Sequence, residues 1–207
     1  MAQQERGRRS RQSILEAAAR VFDERGYEAA STNEILAHTG LTRGSLYHHF
    51  PSKEAIALAL VDAHAEALAP PEHPVRIQAM IDLTLRFADR LRIDPVLRAS
   101  VRLTIEQTSF GYPPLTAYEQ SVATILGLLK EAEAQNELLP GTDIHAATAT
   151  IVGSFTGLQI MSRAYSDRQD LPERVGAFWD LILPGLVIPG LIGRLRTSSP
   201  VPVGASS

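Results

Sequence analysis

The chain has 207 residues and 44% hydrophobic content, enough for one or two packed domains. It has no cysteine, which excludes disulfides, thiolate metal sites and cysteine nucleophiles; its polar N-terminus lacks an apolar signal core, so a cytoplasmic chain is expected. The net charge of −3 looks unsuited to a nucleic-acid partner until its distribution is read. Residues 1–12 hold Arg6, Arg8, Arg9 and Arg11 against Glu5 alone. A flexible basic arm of that kind can follow phosphates or enter a minor groove.

Every regular segment reads as helix, and no alternating strand pattern survives a count, so the fold class is all-α. A first helix over residues 9–25 puts Ile14, Ala18, Val21 and Phe22 on one face, and Gly26 ends it. The most informative stretch follows: residues 31–53, STNEILAHTGLTRGSLYHHFPSK. Ser31 followed by Glu34 is a capping box for a second helix. Ile35 and Leu36 start its apolar face, and Gly40 supplies the left-handed residue that closes it. Leu41 tucks under the turn and Thr42 caps a third helix. That helix carries Arg43, Ser45, Tyr47 and His48, with little apolar surface beyond Leu46 and Phe50. A short helix so rich in donors is what a major groove accepts. Pro51 stops it and Ser52 caps the next. Lys53 then places a cation where the helix dipole disfavours one, which points to a phosphate partner. Arg43 and Ser45 are placed for base edges, and Tyr47, His48 and Lys53 for phosphates. Ile14, Ala18, Val21 and Phe22 would pack on Ile35, Leu46 and Phe50 as a three-helix core.

A fourth helix carries Ile56, Leu60, His64 and Leu68 along one ridge and stops at Pro70-Pro71, with Pro74 reinforcing the break. Ile77, Met80, Ile81, Leu83, Leu85 and Phe87 mark a fifth. Asp94-Pro95 is a cap and first-turn proline for a sixth, which carries Val96, Leu97, Val101, Leu103 and Ile105. After a turn-rich loop over residues 109–114, helices are expected over about 115–136, 143–165 and 172–183. Residues 197–207 are rich in Ser, Pro and Gly and are expected to be disordered. The longest apolar run, residues 181–193, is broken by Pro184 and Pro189 and is short of the about 20 residues a membrane span needs.

The eighth helix is small or apolar nearly all round, so it must be covered on more than one side. Gly153 and Gly157 would admit a close helix, and with Ile160, Phe178, Trp179 and Ile182 they are the expected homodimer interface. Catalysis finds no support. His48 and His49 are adjacent and diverge on a helix, no metal-ligand spacing occurs, and no glycine-rich phosphate loop or nucleophile motif appears. No catalytic residue, metal or cofactor is expected. Polar groups instead interrupt apolar helices: His64, Gln107, Tyr118, Thr156 and Gln159. With Leu83, Phe87, Leu103 and Phe155 they have the composition of a small-molecule pocket between the fourth to eighth helices.

Residues 10–60 resemble the DNA-binding domain of the tetracycline-repressor (TetR) family in FDERGYEAAS, EILAHTG and LTRGSLYHHFPSK. The later features DPVLRASVRL, the PPL turn and FWDLILPGL are similar to the γ-butyrolactone-type autoregulator receptors of that family. The resemblance implies a homodimeric repressor with three parts: a helix-turn-helix domain with a basic arm over 1–55, a ligand-binding and dimerisation domain over 56–196, and a tail over 197–207. It implies DNA contacts at Arg8, Arg9, Arg11, Ser31, Thr42, Arg43, Gly44, Ser45, Tyr47, His48 and Lys53. The implied partners are a palindromic double-stranded operator and a small effector (γ-butyrolactone, butenolide or furan-like), with no membrane. The fourth helix, carrying His64, would be the lever between them. One departure matters: such receptors usually carry a Trp early in the seventh helix, where this chain has Thr116-Ala-Tyr-Glu-Gln120. Tyr118 can stand in for it. A multidrug- or antibiotic-responsive efflux repressor and a ligand-blind relative therefore stay open.

Overall fold

The computed structural model describes residues 2–106 and 116–199. In order these form α1 (Ala2–Ala29), α2 (Thr32–Ala37), α3 (Arg43–His49), α4 (Lys53–Ala67), α5 (Arg76–Ile93), α6 (Pro95–Ile105), α7 (Thr116–Ala134), α8 (Ile144–Ser166), α9 (Leu171–Leu186) and α10 (Pro189–Ile192). The all-α expectation holds. Packing separates two compact units, one with α1 to α4 and α6, the other with α5 and α7 to α10. This division does not follow the sequence boundary at residue 55, because α4 and α6 pack with the helix-turn-helix.

The first unit is built on the expected stripe of α1. Ile14, Ala18, Val21 and Phe22 are buried against Ile35, Leu46, Phe50, Ile56 and Leu60, and α6 adds Ala99 and Leu103. Ala99 and Leu103 are one turn apart and so share a face. Each large side chain fully buried here is worth roughly 1.5–3 kcal/mol in transfer free energy. Leu103, expected to wall a ligand pocket, is a core residue of this unit instead.

The basic N-terminal segment is not a flexible arm. It forms the first turns of α1, which starts at Ala2 and brings Glu5 and Arg9 together at 2.8 Å across one turn. The first long helical run ends at Gly26, as expected, since its φ 77 and ψ 179 are not helical, and a further turn of helix follows across this kink to Ala29. The turn between α2 and α3 forms as its residues require. Ser31 and Glu34 make both halves of the capping box, Gly40 takes φ 66, and Thr42 Oγ1 accepts the Ser45 N–H at 3.2 Å.

In the second unit the Glu137 carboxylate accepts the Arg76 and Ile77 N–H groups, both at 2.9 Å, and so caps α5. Asp143 caps α8 through the N–H groups of His145 and Ala146. Helix α9 runs past Pro184 to Leu186, and the short α10 had no forecast. The tail is anchored further than its composition suggests. The Gln78 amide pairs with both main-chain groups of Arg196, Thr197 donates to Asp180 and Ser199 to Asp89. Residues 197–199 are therefore ordered, contrary to expectation, and 200–207 lie outside the described residues.

Candidate nucleic-acid interface

Leu46 and Phe50 seat α3 in the core, and their spacing turns the opposite side of the helix outward. Arg43, Gly44, Tyr47 and His48 are exposed, as is the capping Thr42, and Ser45 is half-buried. No heavy atom lies within 4 Å of where a Gly44 Cβ would stand, so the backbone itself is open to a partner. The Arg43 guanidinium sits 5.8 Å from the Tyr47 ring centre, and the Tyr47 hydroxyl lies 3.3 Å from Thr32 Oγ1. The Thr32 hydroxyl first, then Arg43, hold the Tyr47 phenol below its ordinary value. Thr32 went unnoticed in the sequence. Its signal, a hydroxyl at the first position of α2, has meaning only once α2 and α3 are placed side by side.

The other expected contacts divide by what already holds them. Arg8 is exposed, and Arg9 is tied only to Glu5 in an exposed pair, an interaction weak enough to exchange for a phosphate. Arg11 lies over the Phe50 ring at 5.0 Å and so links α1 to the end of α3. The Ser31 hydroxyl donates to Glu34 Oε2 at 3.0 Å and accepts the Glu34 N–H at 3.2 Å. The Ser31 hydroxyl first, and then its main-chain N–H at 3.1 Å, donate to the Glu34 carboxylate and hold it below its ordinary value, so Ser31 has a structural task. Lys53 is likewise engaged. Its ammonium donates to the carbonyls of Tyr27 (2.9 Å) and Ala30 (3.1 Å) and lies 4.2 Å from the Tyr27 ring centre. The cation that looked misplaced at the start of α4 binds the carbonyl end of α1, where a positive charge is favoured.

His48 and His49 meet edge-on at 5.4 Å, and no group of three or more side chains suited to a metal occurs among the described residues. Of the effector residues, Phe87 and Phe155 pack edge-to-face at 5.7 Å, joining α5 to α8, with Leu83 buried one turn from Phe87. Thr156 Oγ1 donates to its own helix at Val152 O, 2.9 Å away. Gln159, one turn beyond Phe155, has a buried Oε1 with no hydrogen-bond partner. Tyr118 is half-buried, and burial pushes its phenol up. Gln107 and the side chain of His64 lie outside the described residues.

Of the expected dimer residues, Gly153, Gly157 and Ile160 are exposed and Phe178 and Ile182 half-buried. Tyr165 at 76% exposure and Leu181 at 80%, with Met161, enlarge that apolar face. Trp179 is a correction. It lies one turn from both Val175 and Leu183, on the inner side of α9, with no exposed surface, and its Nε1–H donates to Thr84 Oγ1 at 2.8 Å.

Residues 14–60 match the family of bacterial regulatory proteins, tetR family, and residues 74–189 the tetracyclin repressor-like C-terminal domain. The A-factor receptor protein of Streptomyces griseus is 38% identical over 208 residues, covering 100% of this chain and 74% of that one. Full-length native tylp, a tetR regulator from Streptomyces fradiae, superposes with a TM-score of 0.82 at 38% identity over 93% of each chain. A gamma-butyrolactone receptor (ArpA-like protein) does so with a TM-score of 0.76 at 29% identity, covering 91% of this chain and 94% of that one. No described helix is long and apolar enough to cross a membrane. The chain belongs to the tetR family of bacterial regulatory proteins: it is a DNA-binding regulator, not an enzyme.

Proposed function

We propose that the chain is a cytoplasmic homodimeric repressor. It holds a palindromic operator and leaves it when a γ-butyrolactone, butenolide or furan-like signal occupies the second unit. The observation that carries the DNA half is α3 itself: Leu46 and Phe50 hold it, while Arg43, Gly44, Tyr47 and His48 face outward. A two-fold pair of such helices must sit about one DNA turn apart, ~34 Å, to dock both half-sites. The apolar face of α8 and α9, with Gly153, Gly157, Ile160, Phe178, Leu181 and Ile182, supports a second copy as its cover.

The effector half is supported by what the named relatives bind and by the Gln159 acceptor left unpaired near the Phe87–Phe155 contact. A buried acceptor without a partner costs about 1–3 kcal/mol, a cost a ligand hydroxyl would remove. Tyr118 would donate to a ligand carbonyl oxygen, and the Thr156 oxygen, whose proton is held by Val152, would accept from a ligand hydroxyl. Such a ligand acts only through a difference in affinity between DNA-bound and released states, and DNA must weaken the ligand by the same factor.

A second reading is favoured by one observation. The chain's single Trp is spent in the core on Thr84, so it does not replace the Trp that the lactone receptors usually carry in the seventh helix. An antibiotic-type effector, or none, fits that departure. The test starts from a duplex selected out of random DNA by the full-length chain. That duplex is then challenged with synthetic alkyl-γ-butyrolactones, butenolides and furans. Release by one of these, with ligand affinity equally reduced by DNA, is expected; a complex that none of them disturbs refutes the effector class. Gly157→Glu should sediment as monomer and lose the palindrome; a dimeric variant would place the interface elsewhere.

A further inference from the structure

The break in α1 at Gly26 frees two main-chain groups that an intact helix would pair with each other, the Tyr27 N–H and the Asp23 carbonyl. Neither is left without a partner. Glu106 Oε2 accepts the Tyr27 N–H at 2.7 Å, and Arg102 Nη1 donates to the Asp23 carbonyl. The two side chains are themselves paired, Arg102 Nε to Glu106 Oε1 at 2.8 Å, one turn apart at the end of α6. Arg98, one turn earlier, donates to the Asp23 carboxylate. The seat is shaped for a glycine: a Cβ on Gly26 would stand 2.7 Å from Arg102 Nη2 and 2.8 Å from both Glu106 oxygens, at a φ of +77.

We propose that Arg102 and Glu106 are positioning residues for DNA reading: the pair replaces the missing helical hydrogen bond of α1 and so sets where the helix-turn-helix begins. The segment they hold leads directly into Ser31, the cap of α2. Both main-chain groups of Tyr27 are gripped by charged side chains, the N–H by Glu106 and the carbonyl by Lys53. The Tyr27 ring is buried and stacks with Phe22 at 6.0 Å, so the segment has little freedom of its own. Helix α6 follows α5 after a single residue, Asp94. A shift of α6 along its axis therefore pulls on residues 23–30 through two charge-assisted hydrogen bonds, which are stiffer than apolar contact. The coupling to an effector rests on the repressor reading above; the placement of α2 does not.

Two measurements on the full-length chain test this. Amide exchange should show Tyr27 protected in the wild type and in Glu106→Gln, whose single carbonyl oxygen can still accept the Tyr27 N–H although the Arg102 bond is given up, but exposed in Glu106→Ala. The loss should spread to residues 28–35. Affinity for the duplex selected by the wild-type chain should fall about tenfold or more in Glu106→Ala and stay within about threefold in Glu106→Gln. Affinity for unrelated DNA should change little in either, because Glu106 removes no cation from the DNA face. Should Glu106→Ala fail to fold, Arg102→Gln carries the test, with a smaller loss in the same direction. Unchanged Tyr27 exchange, equal losses on selected and unrelated DNA, or a Glu106→Gln variant as impaired as Glu106→Ala would each overturn the proposal. Should the wild type select no sequence at all, the operator reading fails, and the exchange measurement alone decides the brace.

Discussion

Replacing Lys53 by Met separates two tasks that its position allows, since Met keeps the stem and removes the charge. The ammonium makes two hydrogen bonds to carbonyls at 2.9 and 3.1 Å and one cation–π contact at 4.2 Å. Bonds from a charged donor are worth about 1.5–3 kcal/mol each, but this side chain is half-exposed, so about 1 kcal/mol each is the better figure. The ring contact adds about 0.5–1 kcal/mol. Relief of the unfavourable charge at the start of α4 returns a few tenths of a kcal/mol. The net loss is about 2 kcal/mol, or roughly 4–8 °C in melting temperature for a chain of this size. Two of the three ammonium protons are already engaged, so little remains for a phosphate. Counted per subunit of the dimer, the salt dependence of operator binding should then drop by less than about half of the ~0.9 unit expected for one lost phosphate contact. Thermal unfolding followed by circular dichroism and operator titration across a salt series read the two effects separately. A slope reduced by about one full unit per subunit, with stability unchanged, would show that Lys53 serves DNA and not the end of α1.

Thr84→Val keeps the side-chain shape but leaves the Trp179 indole N–H unpaired at a site without solvent; it should cost about 1–3 kcal/mol by urea unfolding. Ser100→Ala should do the reverse, since its hydroxyl is buried with no partner; stability unchanged or raised by about 1 kcal/mol is expected, and a loss above that would show an unseen partner. The hydroxyls of Ser162 and Ser166 first, and then Arg174, hold Asp170 down to about 2. A depressed carboxyl stabilises the fold above its ordinary value of 3.8 and ceases to as pH falls toward about 2. The melting-temperature gap between wild type and Asp170→Asn should therefore be constant near neutrality and close between pH about 4 and about 2.

The DNA-reading part of this chain was legible because its rules are local. Ser31 and Glu34, Gly40, and Thr42 with Ser45 all act within three or four residues, so their order along the chain is also their contact list. What local rules leave hidden is any residue whose partner is distant or silent. Lys53 binds carbonyls 26 and 23 residues away, and a backbone carbonyl has no identity in a sequence. Periodicity shows that α6 has an apolar face but not what it faces, so it cannot assign Leu103 to the core of the first unit. Helix α9 is apolar on two sides. Val175, Trp179 and Leu183 lie inward while Phe178, Leu181 and Ile182 do not, and a hydrophobic count cannot separate core from interface. The arginines of residues 6–11 stand out by charge, but Gln, Glu and Arg are also good helix formers, and the segment is the start of α1.

Glu106 is the sharpest case, since nothing local distinguishes it and its partner amide is 79 residues away. Yet the chain did carry a usable sign. A glycine set inside an otherwise helical pattern, as in Glu24-Arg-Gly-Tyr27, breaks the ladder and frees one donor and one acceptor four residues apart. Buried groups of that kind must be paired. The complementary pattern is an arginine and a glutamate one turn apart on another helix, offering a donor and an acceptor at the same spacing. Arg102 and Glu106 meet that requirement. The demand created at Gly26 and the supply at Arg102 and Glu106 are both written in the sequence, one as a missing backbone pair and the other as a side-chain pair at the same spacing.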